Sequence, residues 1–185
     1  ASSVVRGQDW SFAIVPCSPC QAWGMSADGR TLVGNWPVGM SRAWRWRIGA
    51  GGGLDVGLGL GDAAAQAASY DGSVVVGTEL GRAFRWNNGV VEYIQADGLP
   101  EIAGASWTGE VFVGQVSIAG GSTRAFRGGS AAGFELLGPL PGYTSSTARA
   151  VSADGGIVVG YCYGGIGGGR ACRWVPPASP QDLGG

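Results

Sequence analysis

Short runs of β-branched and aromatic residues alternate with glycine-rich breaks along the whole chain, and no window sustains the 3.6-residue apolar period of a helix. Thr31-Leu-Val, Val74-Val-Val, Val111-Phe-Val and Ile157-Val-Val are each preceded by a small polar turn and followed by glycine. Asp-Gly between β-rich runs is a strong hairpin signal, because both residues tolerate positive φ. The Ala-rich stretch 63–68 is too short for a stable helix and occupies the slot of a first strand. The pattern predicts short strands joined by tight turns, an all-β chain.

The pattern repeats. Ser26-Ala-Asp-Gly-Arg-Thr-Leu-Val-Gly34 returns as Ser69 to Gly77, Ser106 to Gly114 and Ser152 to Gly160. An Arg-Ala-aromatic-Arg-Trp element follows at Arg42–Trp46, Arg82–Trp86, Arg124–Gly128 (degraded) and Arg170–Trp174, with Cys172 in the last aromatic slot. A Leu-Gly phrase closes the units at Leu58-Gly59, Leu137-Gly138 and Leu183-Gly184, with Asp97-Gly98-Leu99 as a weaker copy. The turn glycines Gly29, Gly72, Gly109 and Gly155 are 43, 37 and 46 residues apart. Four-stranded units of this length repeated about an axis are the signature of a β-propeller. The expectation is four repeats of about 40 residues at 21–62, 63–102, 103–146 and 147–185, in a four-bladed β-propeller-like domain. A β-solenoid or an open stack of small sheets is the alternative. Residues 1–20 precede the first unit, and Trp10, Phe12 and Ile14 alternate there with Ser11, Ala13 and Val15, a strand without a unit of its own. It could complete the fourth blade and close the ring, or be given to a neighbouring molecule.

These units resemble the bacterial HAF repeats of extracellular proteins, named for a His-Ala-Phe triplet. The resemblance rests on the Ser-x-Asp-Gly-x-x-x-Val-Gly segments, on Arg82-Ala83-Phe84-Arg85-Trp86 and on the Leu-Gly phrases, and covers residues 21–185. It implies a β-rich repeat and an extracellular location. It carries no defined activity, and this chain has Arg where the family has His.

Composition narrows the chemistry. Glycine supplies 37 of 185 residues without collagen's strict period, which fits frequent tight turns. Net charge is −1, giving no electrostatic case for nucleic acid, and no run of 18 apolar residues exists to insert in a membrane. All twelve basic residues are Arg, so a common guard against edge-to-edge pairing, the lysine, is missing. This leans toward self-association. The chain opens Ala1-Ser2-Ser3, as a secreted protein would after signal-peptide removal. Without His or Lys, serine and cysteine triads, His-ligated zinc and Schiff-base chemistry are excluded, and the recurrent Asp residues are turn residues. The expectation is a protein that is not an enzyme and needs no cofactor or metal.

Three sets of residues stand out. In a strand Arg42, Trp44 and Trp46 share one face, with Ala43, Arg45 and Arg47 on the other. Inner strands are covered on both faces, so at least one Arg per unit is expected to be buried and to need a partner. The turn Asp recurs in phase, which predicts pairing of Arg42, Arg82 and Arg170 with Asp28, Asp71 and Asp154. Of the eight Trp, Trp36 and Trp107 lie at or beside turns outside the repeat phase, and are the candidates for a ligand contact. Cys17, Cys20, Cys162 and Cys172 are read as disulfides. Cys162 and Cys172 can bridge predicted neighbouring strands, leaving Cys17 with Cys20, or the N-terminal pair can bridge to the C-terminal pair; a four-Cys zinc site is the remaining option. The functional expectation is a secreted, non-catalytic structural protein that self-associates into an extracellular surface assembly or filament, its partner another copy of itself. The alternative is a glycan- or ligand-binding, lectin-like propeller.

Overall fold

The computed structural model describes residues 19–37, 39–48, 54–55, 61–95, 98–129, 133–165, 168–177 and 179–184. The expected strand at Trp10–Val15 lies outside them, as does Cys17. The described residues form four antiparallel sheets, each a four-stranded meander of consecutive strands. Sheet 1 is β1 (Gln21–Met25), β2 (Thr31–Trp36), β3 (Arg42–Arg47) and β4 (Leu54–Asp55). Sheet 2 is β5 (Ala63–Ala68), β6 (Val74–Glu79), β7 (Arg82–Asn87) and β8 (Val90–Ile94). Sheet 3 is β9 (Leu99–Ala105), β10 (Val111–Ser117), β11 (Thr123–Gly129) and β12 (Gly133–Leu137). Sheet 4 is β13 (Ser145–Val151), β14 (Val158–Tyr163), β15 (Arg170–Trp174) and β16 (Gln181–Asp182). The all-β, four-unit architecture is as the repeat predicts. Two boundaries shift: sheets 3 and 4 begin at Leu99 and Ser145 rather than 103 and 147, because Leu99 and Pro100 already pair with Ser117 and Val116, and Ser145 with Tyr163.

The Ser-x-Asp-Gly segment builds the turn from strand 1 to strand 2 of each sheet by closing on itself. In sheet 1 the Thr31 N–H donates to Ser26 Oγ (2.9 Å), whose hydroxyl donates to Asp28 Oδ1 (2.6 Å); the Arg30 N–H donates to the same carboxylate (2.9 Å). Sheets 2 and 4 repeat the arrangement at Ser69 and Asp71 and at Ser152 and Asp154. Sheet 3 keeps it with Thr108 in the place of Asp, its Oγ1 accepting from the Glu110 N–H at 3.3 Å. Such side-chain caps of backbone N–H groups are why Ser and Asp favour turns.

The glycine that ends each Val-Gly run answers to a different demand. Strand 1 of every sheet carries a register shift beside it: Ala22/Gly24, Ala65/Ala67 and Ala148/Ala150 in strands 1, and opposite Val113/Gly114 in sheet 3. The bulge pushes a carbonyl toward strand 2. A Cβ on Gly34, Gly77, Gly114 or Gly160 would lie 1.8, 2.1, 1.8 and 1.9 Å from the carbonyl oxygens of Gln21, Ala64, Glu101 and Thr147. Only glycine fits.

Hydrophobic burial sits between sheets, one cluster per joint. Val33 and Ala43 of sheet 1 meet Ala63, Ala65, Phe84 and Trp86 of sheet 2. Val74, Val76 and Ala83 meet Ile102, Phe112 and Phe126. Val113 and Ala125 meet Ala148, Val158, Cys172 and Trp174. Each sheet thus presents small side chains forward and large ones backward. In sheet 3 the missing Trp is replaced from across the ladder: Gly128 pairs with Phe112, whose ring stands 2.7 Å from where a Cβ on Gly128 would be.

Candidate functional site

The second Arg of each Arg-Ala-aromatic-Arg element locks one sheet to the next. Arg45 donates from Nη1 to the carbonyl of Gly72 (3.2 Å), Arg85 from Nε to Gly109 (3.1 Å), and Arg127 from Nε to Gly155 (3.1 Å). The acceptor is always the turn glycine of the following sheet. Gly72, Gly109 and Gly155 have φ of 69°, 70° and 77° and press on Thr31, Val74 and Val111 of the preceding sheet, where a Cβ would come within 2.2, 2.6 and 2.7 Å. Both demands exclude other residues. Arg85 is 4 % exposed and pairs with Glu92 Oε2 (3.4 Å) and with Glu110 Oε1 (2.5 Å) of the next turn. Arg127 stands 3.8 Å from Glu135.

The expected pairing of Arg42, Arg82 and Arg170 with Asp28, Asp71 and Asp154 needs correction. The aspartates take hydrogen bonds from their own turns. The Ser73 hydroxyl and N–H, then the Ser69 hydroxyl, lower the Asp71 pKa to about 2. Ser26 and the Arg30 N–H lower that of Asp28, and Ser152 and the Gly156 N–H that of Asp154. Arg42 and Arg82 are exposed, and Arg82 lies over the Tyr93 ring at 4.2 Å. Arg170 is half-buried. In sheets 2 and 3 the arginine with a carboxylate partner is the second of the motif, and the carboxylate comes from the outermost strand of its own sheet and, for Arg85, also from the next turn. The in-phase acid opposite it was readable as Asp55, Glu92 and Glu135, which pair in register with Arg45, Arg85 and Arg127. Glu79, on the far end of β6, accepts from the Tyr93 hydroxyl, which raises the Tyr93 pKa.

Joints run in one direction and their surfaces are unequal at the two ends. Val33, Val76 and Val113, and Ala43, Ala83 and Ala125, are buried by the following sheet. Their counterparts in sheet 4, Val159 and Ala171, are exposed, Val159 by 37 %. Backward, Ala65, Ile102 and Ala148 are buried by the preceding sheet; their counterpart Ala22 is exposed, but Trp44 and Trp46 on the same face of sheet 1 are buried. Sheet 2 packs on sheet 1, sheet 3 on sheet 2 and sheet 4 on sheet 3, and no comparable packing joins sheet 4 to sheet 1 among the described residues.

Trp107 and Trp36 are not brought together. Trp107 tops the turn of sheet 3, 51 % exposed, and stacks on Tyr70 of the sheet 2 turn, centroids 3.9 Å apart and planes 5° off parallel. Backbone bonds join these turns: Asp28 N–H to the Tyr70 carbonyl, Tyr70 N–H to Trp107, and Trp107 N–H to Ala153, at 3.0, 2.8 and 2.9 Å. The aromatic pair, with the exposed Trp23 and Met25, lines a cavity of about 360 Å3 between the innermost strands. Among the described residues no charged side chain lines it. Trp36 sits at the opposite end of β2, half-buried, with its Nε1 buried. Sequence reasoning did not single out Tyr70, whose position in the turn is held by Ala in two other units.

Cys162 and Cys172 form the cross-strand disulfide, Cα atoms 6.2 Å apart, and both are buried. Cys172 stands in the slot of Trp44, Phe84 and Phe126, so the bridge fills space an aromatic ring fills elsewhere. Cys20 is also disulfide-bonded. The bridges are compatible with an oxidising, extracellular setting. Among the described residues no cluster of three or more His, Cys, Asp or Glu could hold a metal ion, and no helix is long and apolar enough to cross a membrane.

No protein-family model matches the chain, and no curated protein matches it. Solved structures do. TolB from Acinetobacter baumannii superposes with a TM-score of 0.59 at 14 % identity, over 89 % of this chain and 43 % of that one. A putative TolB from Agrobacterium tumefaciens gives 0.64 at 15 % identity, over 89 % and 65 %. A puromycin hydrolase gives 0.56 at 17 % identity, over 86 % and 28 %. The chain spans less than two thirds of the length of each. What it shares with them, at these identities, is the β-propeller-like fold.

Proposed function

We propose that this chain is a secreted, non-catalytic structural protein that self-associates into an extracellular assembly. The observation that carries the reading is the face of sheet 4 on which Val159 and Ala171 stand exposed, although their counterparts Val33, Val76 and Val113, and Ala43, Ala83 and Ala125, are each buried by a following sheet. The repeated Arg, Asp, Ser and Gly residues all serve turns or joints, leaving no convergent set for acid–base or nucleophilic chemistry in the described residues. Absence of Lys and a net charge of −1 provide little repulsion between copies. The HAF-like repeat and the disulfides support an extracellular location. Light scattering on non-reduced protein across a concentration range tests the reading; species growing with concentration are expected, and a monomer of 18.7 kDa throughout refutes it.

The Tyr70–Trp107 platform favours a second reading, binding of a neutral glycan whose sugar ring stacks over an indole beside an uncharged cavity. Trp107→Ala would then abolish binding on a glycan array without changing particle mass. An array on which the wild type binds nothing excludes it.

A further inference from the structure

Trp23 and Trp107, the two Trp side chains exposed among the described residues, border the same cavity, together with the exposed Met25. The repeat explains how they meet. Ala27, Tyr70, Trp107 and Ala153 each follow the Ser of a turn and line the cavity there, large on sheets 2 and 3 and small on sheets 1 and 4. Trp23, Gln66 and Ala103 are the residues that the bulges of β1, β5 and β9 leave out of the ladder, and they line it as well. Both indoles are held. Trp23 Nε1 donates to Asn35 Oδ1 (2.7 Å), whose own Nδ2 donates to Ser41 Oγ (2.8 Å), and Trp107 is stacked on Tyr70. Side chains fixed in advance lose little freedom when a ligand arrives.

The rest of the wall is polar without being charged. β1, β5 and β9 are edge strands that pair on one side only, so neutral backbone N–H and C=O groups of their free edges face the space between them. Gln66 adds an amide bonded at one end: its Nε2 donates to Thr78 Oγ1 (3.2 Å), and its buried Oε1 has no partner. Arg149, the counterpart of Trp23 on sheet 4, donates to the Tyr161 hydroxyl (3.1 Å) and does not line the cavity. Its volume of about 360 Å3 lies in the range of small-molecule pockets, roughly 300–1,000 Å3.

We infer that this cavity, rather than the outer face of Trp107, takes the sugar: one neutral pyranose of a glycan, held between Trp23 and the Tyr70–Trp107 pair. Its apolar C–H face packs on an indole, and its hydroxyls, donors and acceptors at once, meet the edge backbone groups and Gln66. A uronate is refused, because its carboxylate would give up water for a wall with no counter-charge. On its outer side the aromatic pair borders a second cavity, with Asp71, Ser73 and Thr108. Those polar groups are already used by the turns: Asp71 Oδ1 accepts from the Ser73 N–H and hydroxyl, and Thr108 Oγ1 from the Glu110 N–H. The outer cavity also lacks a second indole to face Trp107.

This inference rests on the glycan-binding reading and is tested separately from it. Wild type is applied to an array of neutral oligosaccharides of glucose, galactose, mannose and N-acetylglucosamine, with glucuronate and galacturonate oligosaccharides beside them. The tightest neutral binder is then titrated by calorimetry into wild type, Trp23→Ala, Ala103→Phe and Trp107→Ala, with far-ultraviolet circular dichroism confirming that each is folded. Wild type is expected to bind neutral sugars and to pass over the uronates. Trp23→Ala, at an exposed position, weakens binding by about tenfold or more. Ala103→Phe, also at an exposed position, fills the cavity, leaves the outer one open and abolishes binding. Should Ala103→Phe fail to fold, Trp23→Ala decides alone, since Trp23 lines the inner cavity and not the outer one. A wild type that binds nothing on the array overturns the glycan reading and this site with it. Binding that is lost in Trp107→Ala but kept in Trp23→Ala and Ala103→Phe leaves the glycan reading standing and overturns the cavity. Uronates held as tightly as their neutral counterparts overturn it too.

Discussion

Replacing Gly77 by alanine isolates the steric demand that the bulged first strand places on the repeat. Gly77 is buried on β6, opposite Ala65. The added Cβ would lie 2.1 Å from the Ala64 carbonyl oxygen and 2.8 Å from two atoms of the fully buried Phe84 ring. A real Cβ stays beyond 3.0 Å, so β5 must retreat by roughly 1 Å. The obstructing atom is backbone and cannot rotate aside. Overpacking of this kind costs about 1–3 kcal/mol. Straining a ladder hydrogen bond adds about 1 kcal/mol, and the stiffer unfolded chain returns about 0.5 kcal/mol. A net loss of about 3 kcal/mol should lower Tm by about 6–12 °C for a chain of this size. The assay is urea unfolding followed by circular dichroism, beside Gly138→Ala as control. A Cβ on Gly138 meets nothing within 4 Å and its backbone is not left-handed, so that variant should be neutral or slightly more stable. Equal stability of the two variants would refute the account of the Val-Gly glycine.

Arg85→Ala should destabilise by about 2 kcal/mol, mostly through the orphaned Gly109 carbonyl, whereas Arg82→Ala, exposed over Tyr93, should cost about 0.5 kcal/mol; thermal melts showing the reverse order would restore the first arginine as the structural one. The lowered pKa values of Asp28, Asp71 and Asp154 mean that their contribution is complete above the unfolded carboxylate value and lost as pH falls through the folded one, which for Asp71 is about 2. Tm should therefore hold from neutral pH to about 4 and fall below it, and Asp71→Asn should flatten that fall; an unchanged acid profile in the variant counts against the turn carboxylate. Breaking the Cys162–Cys172 bridge by replacing both residues with Ala should cost about 3 kcal/mol on the chain-entropy account of a ten-residue loop, read as a lowered urea midpoint relative to non-reduced wild type. A midpoint unchanged by the double substitution would show the bridge to be dispensable.

The repeat, its four strands per unit and the hairpin turn were legible in the sequence because each depends on residues close together in the chain. Ser26, Asp28 and Thr31 complete their hydrogen bonds within five residues, and Thr108 substitutes for Asp in the third unit without altering the turn. Strand periodicity is local for the same reason. The cross-strand disulfide was among the options because Cys162 and Cys172 flank one hairpin.

What the sequence could not order was the contact between sheets. Arg82 and Arg85 stand in the same motif, and a strand pattern alone does not say which face the next sheet will cover. Docking decides it: the face of Ala83 and Arg85 receives sheet 3, so Arg85 loses water and gains Gly109, Glu92 and Glu110, while Arg82 stays exposed at the strand end. Tyr70 and Trp107 lie 37 residues apart and meet only because neighbouring turns are joined by backbone bonds. The sequence determined by itself the unit and its turns, through interactions that close over a few residues. Tertiary structure decided which arginine is buried, where the aromatic pair forms and that the face of Val159 and Ala171 stays exposed, because each depends on desolvation by a sheet that is distant in the chain.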